Sequence, residues 1–178
     1  MSKNLLKKYY VTNPNFISIY YFLFIYYLIS KITNFNNKKI LDYGGGQGFL
    51  KQYLKKKYKC NIRIFDIIDK FSELKNWKSF NFDIIIFCQV VCLLKKNEFN
   101  EIIKFLKKKR KIQIITAFSK QTFINKLFAV ILGHKDAHDG TLTPPEIEKK
   151  TFLKNFSIMK KYNFYVFEVL LLRQSRKR

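Results

Sequence analysis

Glycine, proline, histidine and arginine are all scarce in this chain. Six glycines and three prolines in 178 residues leave no Pro/Gly/Ser linker, and no internal repeat is visible, so the length fits one domain with a real core. Cys60, Cys88 and Cys92 are the only cysteines. Their spacing matches no zinc site and cannot staple a small secreted scaffold, so reduced thiols in a cytoplasmic protein are expected. Acidic residues number 12 against 35 basic ones, a formal net charge of +23. Such an excess suggests nucleic acid or an anionic membrane surface. It is almost all lysine, however, with arginine only at Arg63, Arg110, Arg173, Arg176 and Arg178. Phosphate recognition tends to favour the arginine fork, and Lys, Asn, Ile, Phe and Tyr dominate together, a bias of composition that needs no polyanion.

Long hydrophobic runs are missing too. The longest, "FISIYYFLFIYYLI" at 16–29, is too short to span a bilayer. Its tyrosines suit a helix that covers a core, with peripheral membrane contact as the other reading. The start "MSKNLLKKYY" does not read as a signal peptide, because the apolar run comes late and no small-residue cleavage site follows.

What is present alternates. Helices are expected over 4–10 and 15–32, parted by Asn13-Pro14. "KKILDY" at 38–43 reads as a strand, "NIRIFDI" at 61–67 as a second and "FDIIIFC" at 82–88 as a third. Phe49, Leu50, Tyr53 and Leu54 repeat at helical spacing, as do Phe99, Ile102, Ile103 and Leu106 within 97–109. "KIQIITAF" at 111–118 is a fourth strand, followed by a helix near 120–133. A helix then opens at "TPPEIEKKTFL" with Thr143 as N-cap and Pro144 near its first turn. The tail, 156–173, reads as two strands joined near Lys161–Asn163. This order implies an α/β fold: a Rossmann-like, mostly parallel sheet flanked by helices, with a C-terminal antiparallel strand pair and ligands at the carboxyl ends of the strands.

Four of the six glycines fall in "KKILDYGGGQGFLKQYL" at 38–54. A strand, a glycine-rich turn and a helix let a ligand approach the main chain, and side chains at Gly44, Gly46 and Gly48 would block that approach or the strand–helix packing. Asp66 closes the next apolar run about 20 residues on, the spacing at which a carboxylate accepts hydrogen bonds from ribose hydroxyls. The loop reads G-x-G-x-G rather than the G-x-G-x-x-G of dinucleotide folds, which argues against a pyrophosphate cradle.

"ILDYGGGQGFL" resembles the first motif of class I S-adenosylmethionine-dependent methyltransferases, and "NFDIIIFCQVVCLL" at 81–94 is similar to their fourth. "NEFNEIIKFLKKKRKIQIITAF" looks like the following helix and fifth strand, so the resemblance spans about 38–118. It implies S-adenosyl-L-methionine as cofactor. Asp42, Gly44, Gly45, Gly46 and Gly48 would hold its methionine part, Asp66 the ribose and Ile67 the adenine face, with Cys88 and Gln89 beside the sulfonium. The chain between Asp66 and Phe82 is too short for the helix, third strand and helix of that family. The strand at the sheet edge should be missing, with Leu74 and Trp77 covering the base instead.

The only histidines, His134 and His138, stand with Asp136 and Asp139 in "GHKDAHDGTLTPPEIEKK". Such a group could bind a metal, cap a helix, or supply a base, imidazole being suited to proton transfer near neutral pH. His138 is the catalytic candidate. No D-P-P-Y motif of amino-methyltransferases and no Pro-Cys nucleophile is present, so Cys88 and Cys92 read as core thiols. The expected arrangement is one domain: a cover at 1–37, a cofactor-binding half at 38–118 and an acceptor half at 119–178. The expected activity is methyl transfer to a small-molecule, glycan or lipid acceptor, at oxygen. RNA methylation and a non-catalytic methyltransferase-like binding protein stand as alternatives.

Overall fold

The computed structural model of the chain describes residues 16–109, 111–120, 122 and 141–174. The first element is helix α1 (Phe16–Ile32), whose Ile25, Leu28, Ile29 and Ile32 are buried one helical face apart from the exposed Ile19, Tyr20, Leu23, Phe24 and Tyr27. After it come β1 (Lys39–Tyr43), α2 (Phe49–Lys57), β2 (Asn61–Phe65), β3 (Ile84–Cys88), α3 (Lys96–Lys108) and β4 (Gln113–Ser119). The described chain ends with α4 (Pro145–Asn155), β5 (Phe156–Asn163) and β6 (Phe167–Gln174).

The six strands form one sheet in the order β2-β1-β3-β4-β6-β5. β1 pairs in parallel with both β2 and β3, and β3 with β4. β6 enters antiparallel to β4 and to β5, so the tail supplies the antiparallel pair. β1, β3 and β4 are buried along nearly their whole length, because both faces are covered; this is why they read as unbroken apolar runs rather than as alternation. Asp83, just before β3, clasps the start of β1: its carboxylate accepts from Lys39 N–H at 2.9 Å and its own N–H donates to Lys39 C=O at 2.8 Å.

Two cores sandwich the sheet. On one face α1 and α2 press Ile25, Ile29, Leu50 and Leu54 onto Ile40, Ile84, Ile86, Ile115 and Val169. On the other, α3 and α4 press Phe99, Ile102, Leu106 and Phe152 onto Leu41, Ile85, Phe87, Ile114 and Leu170. Each fully buried Ile, Leu or Phe contributes roughly 1.5–3 kcal/mol of transfer free energy. Among the described residues no helix is long and apolar enough to cross a membrane.

β2 lies at the sheet edge, and between it and β3 the described chain makes two short 3-10 turns, Asp69–Phe71 and Trp77–Ser79, and no strand. The missing edge strand is replaced by one residue. Glu73 N–H donates to Ile64 C=O at 3.0 Å, and the Glu73 carboxylate accepts from Ile64 N–H at 3.2 Å. That satisfies one exposed ladder position.

Three expectations are corrected. Thr143 does not cap α4: Pro144 stands at that position without a side-chain bond, Pro145 begins the helix, and the Thr143 hydroxyl donates instead to Leu94 C=O at 2.9 Å. The turn of the tail hairpin is later than expected, at 164–166, because Phe164 N–H bonds Phe167 C=O across it at 2.9 Å. Trp77 covers no base; it is 6% exposed and packs edge-on against Tyr43 and Phe105. The helices expected at 4–10 and 120–133 fall largely outside the described residues.

Candidate functional site

In an open α/β sheet the crevice lies where neighbouring strands send their connections to opposite faces. Here that point is between β1 and β3: the chain leaves β1 for α2 on one face and leaves β3 for α3 on the other. The glycine loop follows β1 and Cys88–Gln89–Val90 follows β3, so the two motifs meet at the C-terminal ends of adjacent strands.

Gly44, Gly46 and Gly48 have φ of 75°, 51° and 79°, the left-handed region that penalises side chains. Space adds a second constraint. A Cβ on Gly44 would stand 2.2 Å from a methyl of Val90, and one on Gly45 would stand 2.6 Å from Asp42 Oδ2. The bare backbone is thus required first by the protein's own packing across the switch point.

Asp66 ties the loop to β2. Its Oδ2 accepts from Gly46 N–H at 3.0 Å and its Oδ1 from Ile68 N–H at 2.9 Å, while its own N–H donates to Ser72 Oγ at 3.1 Å. The carboxylate that the sequence pairs with a ribose therefore lies against the glycine loop. Asp42 lies beneath that loop, 1% exposed, and its Oδ2 has no hydrogen-bond partner among the described residues. Burial, with the Asp66 charge next, pushes its pKa up to about 7, against the pull of Lys51. Lys51 itself is paired with Glu73.

Next to these acids Tyr43, Gly44, Asp66, Ile67, Val90 and Leu94 line a residual cavity of about 20 Å³, room for roughly one water. Ile67 is 52% exposed at its rim, free to meet an apolar ring. Neither Leu74 nor Trp77 lines the cavity. Ligand pockets for drug-sized molecules run about 300–1,000 Å³, so the cavity as it stands is too small for a nucleoside.

Cys88 ends β3 beside Asp42, and burial followed by that charge drives its thiol far above the ordinary range. Burial, then Glu148, pushes Cys92 up to about 12. Both remain protonated at neutral pH and are not nucleophiles. Gln89 has φ of 55°, unusual for a residue with a side chain. Its N–H donates to Ala117 C=O at 2.8 Å, and its Nε2 donates to the Tyr21 hydroxyl at 2.6 Å. Tyr21 Oη in turn lies 3.1 Å from Ser119 Oγ. Tyr21, on the covering helix, escaped the sequence reading because it looks like any other aromatic of that run. Val90 escaped it because an apolar residue after a strand carries no mark of what it touches.

The structure thus brings Asp42, Gly44, Gly45, Gly46, Gly48, Asp66 and Ile67 together, with Cys88 and Gln89 at the neighbouring strand end. His134, His138, Asp136 and Asp139 lie outside the described residues. Among the described residues no group of three or more His, Cys, Asp or Glu side chains is placed to hold a metal.

The fold is that of the class I S-adenosylmethionine-dependent methyltransferases. No protein-family model matches the chain, and no curated protein sequence matches it. Solved structures do. The PH0226 protein from Pyrococcus horikoshii OT3 aligns over 98% of this chain and 100% of its own, with TM-score 0.67 at 15% identity. Magnesium protoporphyrin IX methyltransferase from Synechocystis PCC 6803, a structure with bound S-adenosylhomocysteine (SAH), aligns over 96% and 93%, with TM-score 0.56 at 17% identity. The pyocyanin biosynthetic protein PhzM aligns over 84% of this chain, with TM-score 0.61 at 13% identity. This chain spans only 54% of that structure, and 60% of the mitomycin 7-O-methyltransferase MmcR, aligned with TM-score 0.60 at 10% identity.

Proposed function

We propose that the protein transfers a methyl group from S-adenosylmethionine to an oxygen of a small-molecule, glycan or lipid acceptor. One observation carries the reading: a buried carboxylate, Asp42, whose Oδ2 has no hydrogen-bond partner among the described residues, lies under a glycine loop in which the Gly46 N–H is held by a second carboxylate, Asp66, at the switch point of the sheet. An orphaned buried polar atom is costly to a fold unless something else uses it. The donor set fits the cofactor in kind, with Asp66 for a ribose diol, Ile67 for an apolar ring, and Asp42 with the loop for a charged amino-acid end. When bound, the cofactor supplies an electrophilic methyl on a sulfonium. The chain's work is then alignment, an orientation effect: Tyr21, Gln89 and Ser119 present polar atoms at the strand ends where an acceptor would sit. His138 is proposed as the base for a hydroxyl. That similar folds include a mitomycin 7-O-methyltransferase and a magnesium protoporphyrin IX methyltransferase supports the reaction class, and the acceptor is proposed only by class. A cytoplasmic location and the single-domain division at 37 and 118 belong to the same proposal.

The cavity of about 20 Å³ favours one second reading, a methyltransferase-like protein that has lost its cofactor. Thermal shift separates the two. SAH should raise the melting temperature and NAD should not. Gly46→Val should abolish the response, since φ of 51° is strained for a β-branched residue and the loop would collapse. Asp66→Ala should weaken binding by about 1–3 kcal/mol, the scale of charge-assisted hydrogen bonds. A stronger response to NAD, or none to SAH at millimolar concentration, rejects the assignment.

A further inference from the structure

α3 and α4 lie side by side over the same face of the sheet, and a groove of about 530 Å³ runs between them. Lys104 and Lys107 enter it from α3 and Lys150 and Lys154 from α4, with the amides of Asn100 and Asn155 beside them. On each helix the two lysines are about one turn apart, ~5 Å along the axis. No acidic and no aromatic residue lines the groove.

Two of the four acids of these two helices are engaged elsewhere, and Glu146 makes no ion pair among the described residues. Glu98 accepts from Lys95 N–H at the start of α3, Glu148 is buried against Thr116, and Glu168 of the hairpin takes Lys149 rather than Lys150. Glu101 reaches Lys104 at 3.1 Å, but both side chains are more than half exposed, where such a pair contributes little. Lys107, Lys150 and Lys154 have no ion-pair partner among the described residues. Like charges converging on one concavity repel, and an anion relieves the repulsion. The composition of the chain explains why lysine is abundant, and the two helices gather four of them on one groove.

We propose that the groove holds the phosphodiester backbone of a single nucleic-acid strand. The proposal does not depend on methyl transfer: Lys107 stands near the end of α3, roughly 16 Å of helical rise from Lys96, and the cavity-lining Leu94 precedes that helix. Packed helices touch at about 8–10 Å axis to axis, so the groove above their contact line is narrower than a duplex and seats a single strand at most. Membrane surfaces recruit flat or convex basic faces carrying aromatic or apolar side chains that insert, whereas the apolar residue of this groove, Ile103, is 5% exposed. Lysine ammoniums act as point charges on phosphate without reading base edges. With no aromatic platform for stacking, binding should ignore base identity.

Fluorescence anisotropy with labelled oligouridine and oligoadenine tests this on the full chain. Both should bind with equal affinity, and log K should fall with log salt at a slope of about −3, four phosphates at about −0.7 each. The triple variant Lys107→Glu/Lys150→Glu/Lys154→Glu should lose roughly tenfold or more in affinity and show a shallower slope. Lys55→Glu/Lys56→Glu/Lys59→Glu, with the same change of charge around the end of α2, should lose far less, both variants melting as the wild type does. Equal losses in the two variants would reduce the effect to net charge and overturn the site. So would a strong preference for one base, or groove-dependent binding of phosphatidylserine vesicles with no binding of either oligomer.

Discussion

Two buried carboxylates on interior strands of the sheet, Glu168 on β6 and Asp42 on β1, are treated in opposite ways. Glu168, 1% exposed on β6, receives Lys149 from α4 and Lys161 from β5, each at 2.7 Å. Burial alone would raise its pKa, but the two ammoniums outweigh burial and hold it below the ordinary value. Each acid has one buried oxygen without a hydrogen bond among the described residues. Glu168 Oε1, however, meets the Lys161 ammonium as an ion pair, whereas Asp42, equally buried near the end of β1, has no ion pair among those residues and its pKa is pushed up to about 7. The hairpin acid is a fastening between three elements. The glycine-loop acid is held at a cost that the fold does not offset by itself. A chain so rich in lysine could place one beside Asp42; its nearest, Lys51, is taken by Glu73.

The largest effect is expected where the contrast leaves a gap. Both buried glutamates of the acceptor half are engaged, Glu148 by Thr116 at 3.0 Å and Glu168 by its lysines. For a hydroxyl acceptor, His138, outside the described residues, is the base proposed. His138→Ala should leave SAH affinity unchanged and lower turnover by about 10²–10⁴-fold, the usual worth of a general base. The wild-type rate should fall as pH drops through the histidine pKa, about 6.5 if unperturbed. Equal losses in His134→Ala would point to a shared metal, which chelation would reveal. Full turnover by His138→Ala on a hydroxyl acceptor removes the residue from the mechanism.

Next in size is the fastening itself. Glu168→Leu leaves two ammoniums facing each other, but both lysine side chains are about a third exposed and can turn to water. The loss should therefore sit near the lower end for a broken buried pair, about 3 kcal/mol, read as a drop in the urea midpoint at constant slope. Glu168→Gln should lose less, since it keeps an acceptor. An unchanged midpoint in both would make the pair ornamental.

The contrast also has a pH signature. Asp42 rises from 3.8 to about 7 and, through burial against its bond to Thr116, Glu148 from 4.5 to about 8. Their folded pKa values exceed the unfolded ones, so their contribution is complete below about pH 4 and is lost as pH climbs through 7 and 8, at up to about 1.4 kcal/mol per pH unit per group. Glu168 is shifted the other way and its contribution is lost as pH falls below the unfolded value of 4.5. Stability should therefore peak on the acid side of neutrality and decline towards pH 8. A flat profile from pH 5 to 8 would show that neither carboxyl is strained.

How much of this was legible in the sequence follows from the range of each interaction. β1, β3 and β4 were visible because strands buried on both faces are unbroken apolar runs, and the loop was visible because four glycines between a strand and a helix leave few alternatives. Asp66 was found by spacing alone. What the sequence concealed is contact across the chain. Val90 touches Gly44 from the next strand but one, Glu73 replaces a whole edge strand, and Thr143 bonds Leu94 instead of capping its own helix. The opposite states of Asp42 and Glu168 were equally hidden, since each depends on which lysine arrives from a distant element.

The smallest expected effect sharpens the comparison most directly. Asp42→Asn keeps the shape of the side chain and removes its charge. Were Asp42 another Glu168, the substitution would destabilise the protein at every pH above 4, because a paired charge would be lost. If the carboxylate is unpaired, the variant should instead be more stable than the wild type at pH 8, where the wild-type carboxyl is mostly ionised. The difference should shrink as pH falls below 7 and vanish only below about pH 4, where the unfolded carboxyl holds its proton too. SAH carries a cationic amino group that an anionic Asp42 would attract, so it should raise the wild-type melting temperature more than that of Asp42→Asn. A variant less stable at pH 8, with an undiminished response to SAH, would place a hidden partner on Asp42 and return the glycine-loop acid to the structural class of the hairpin.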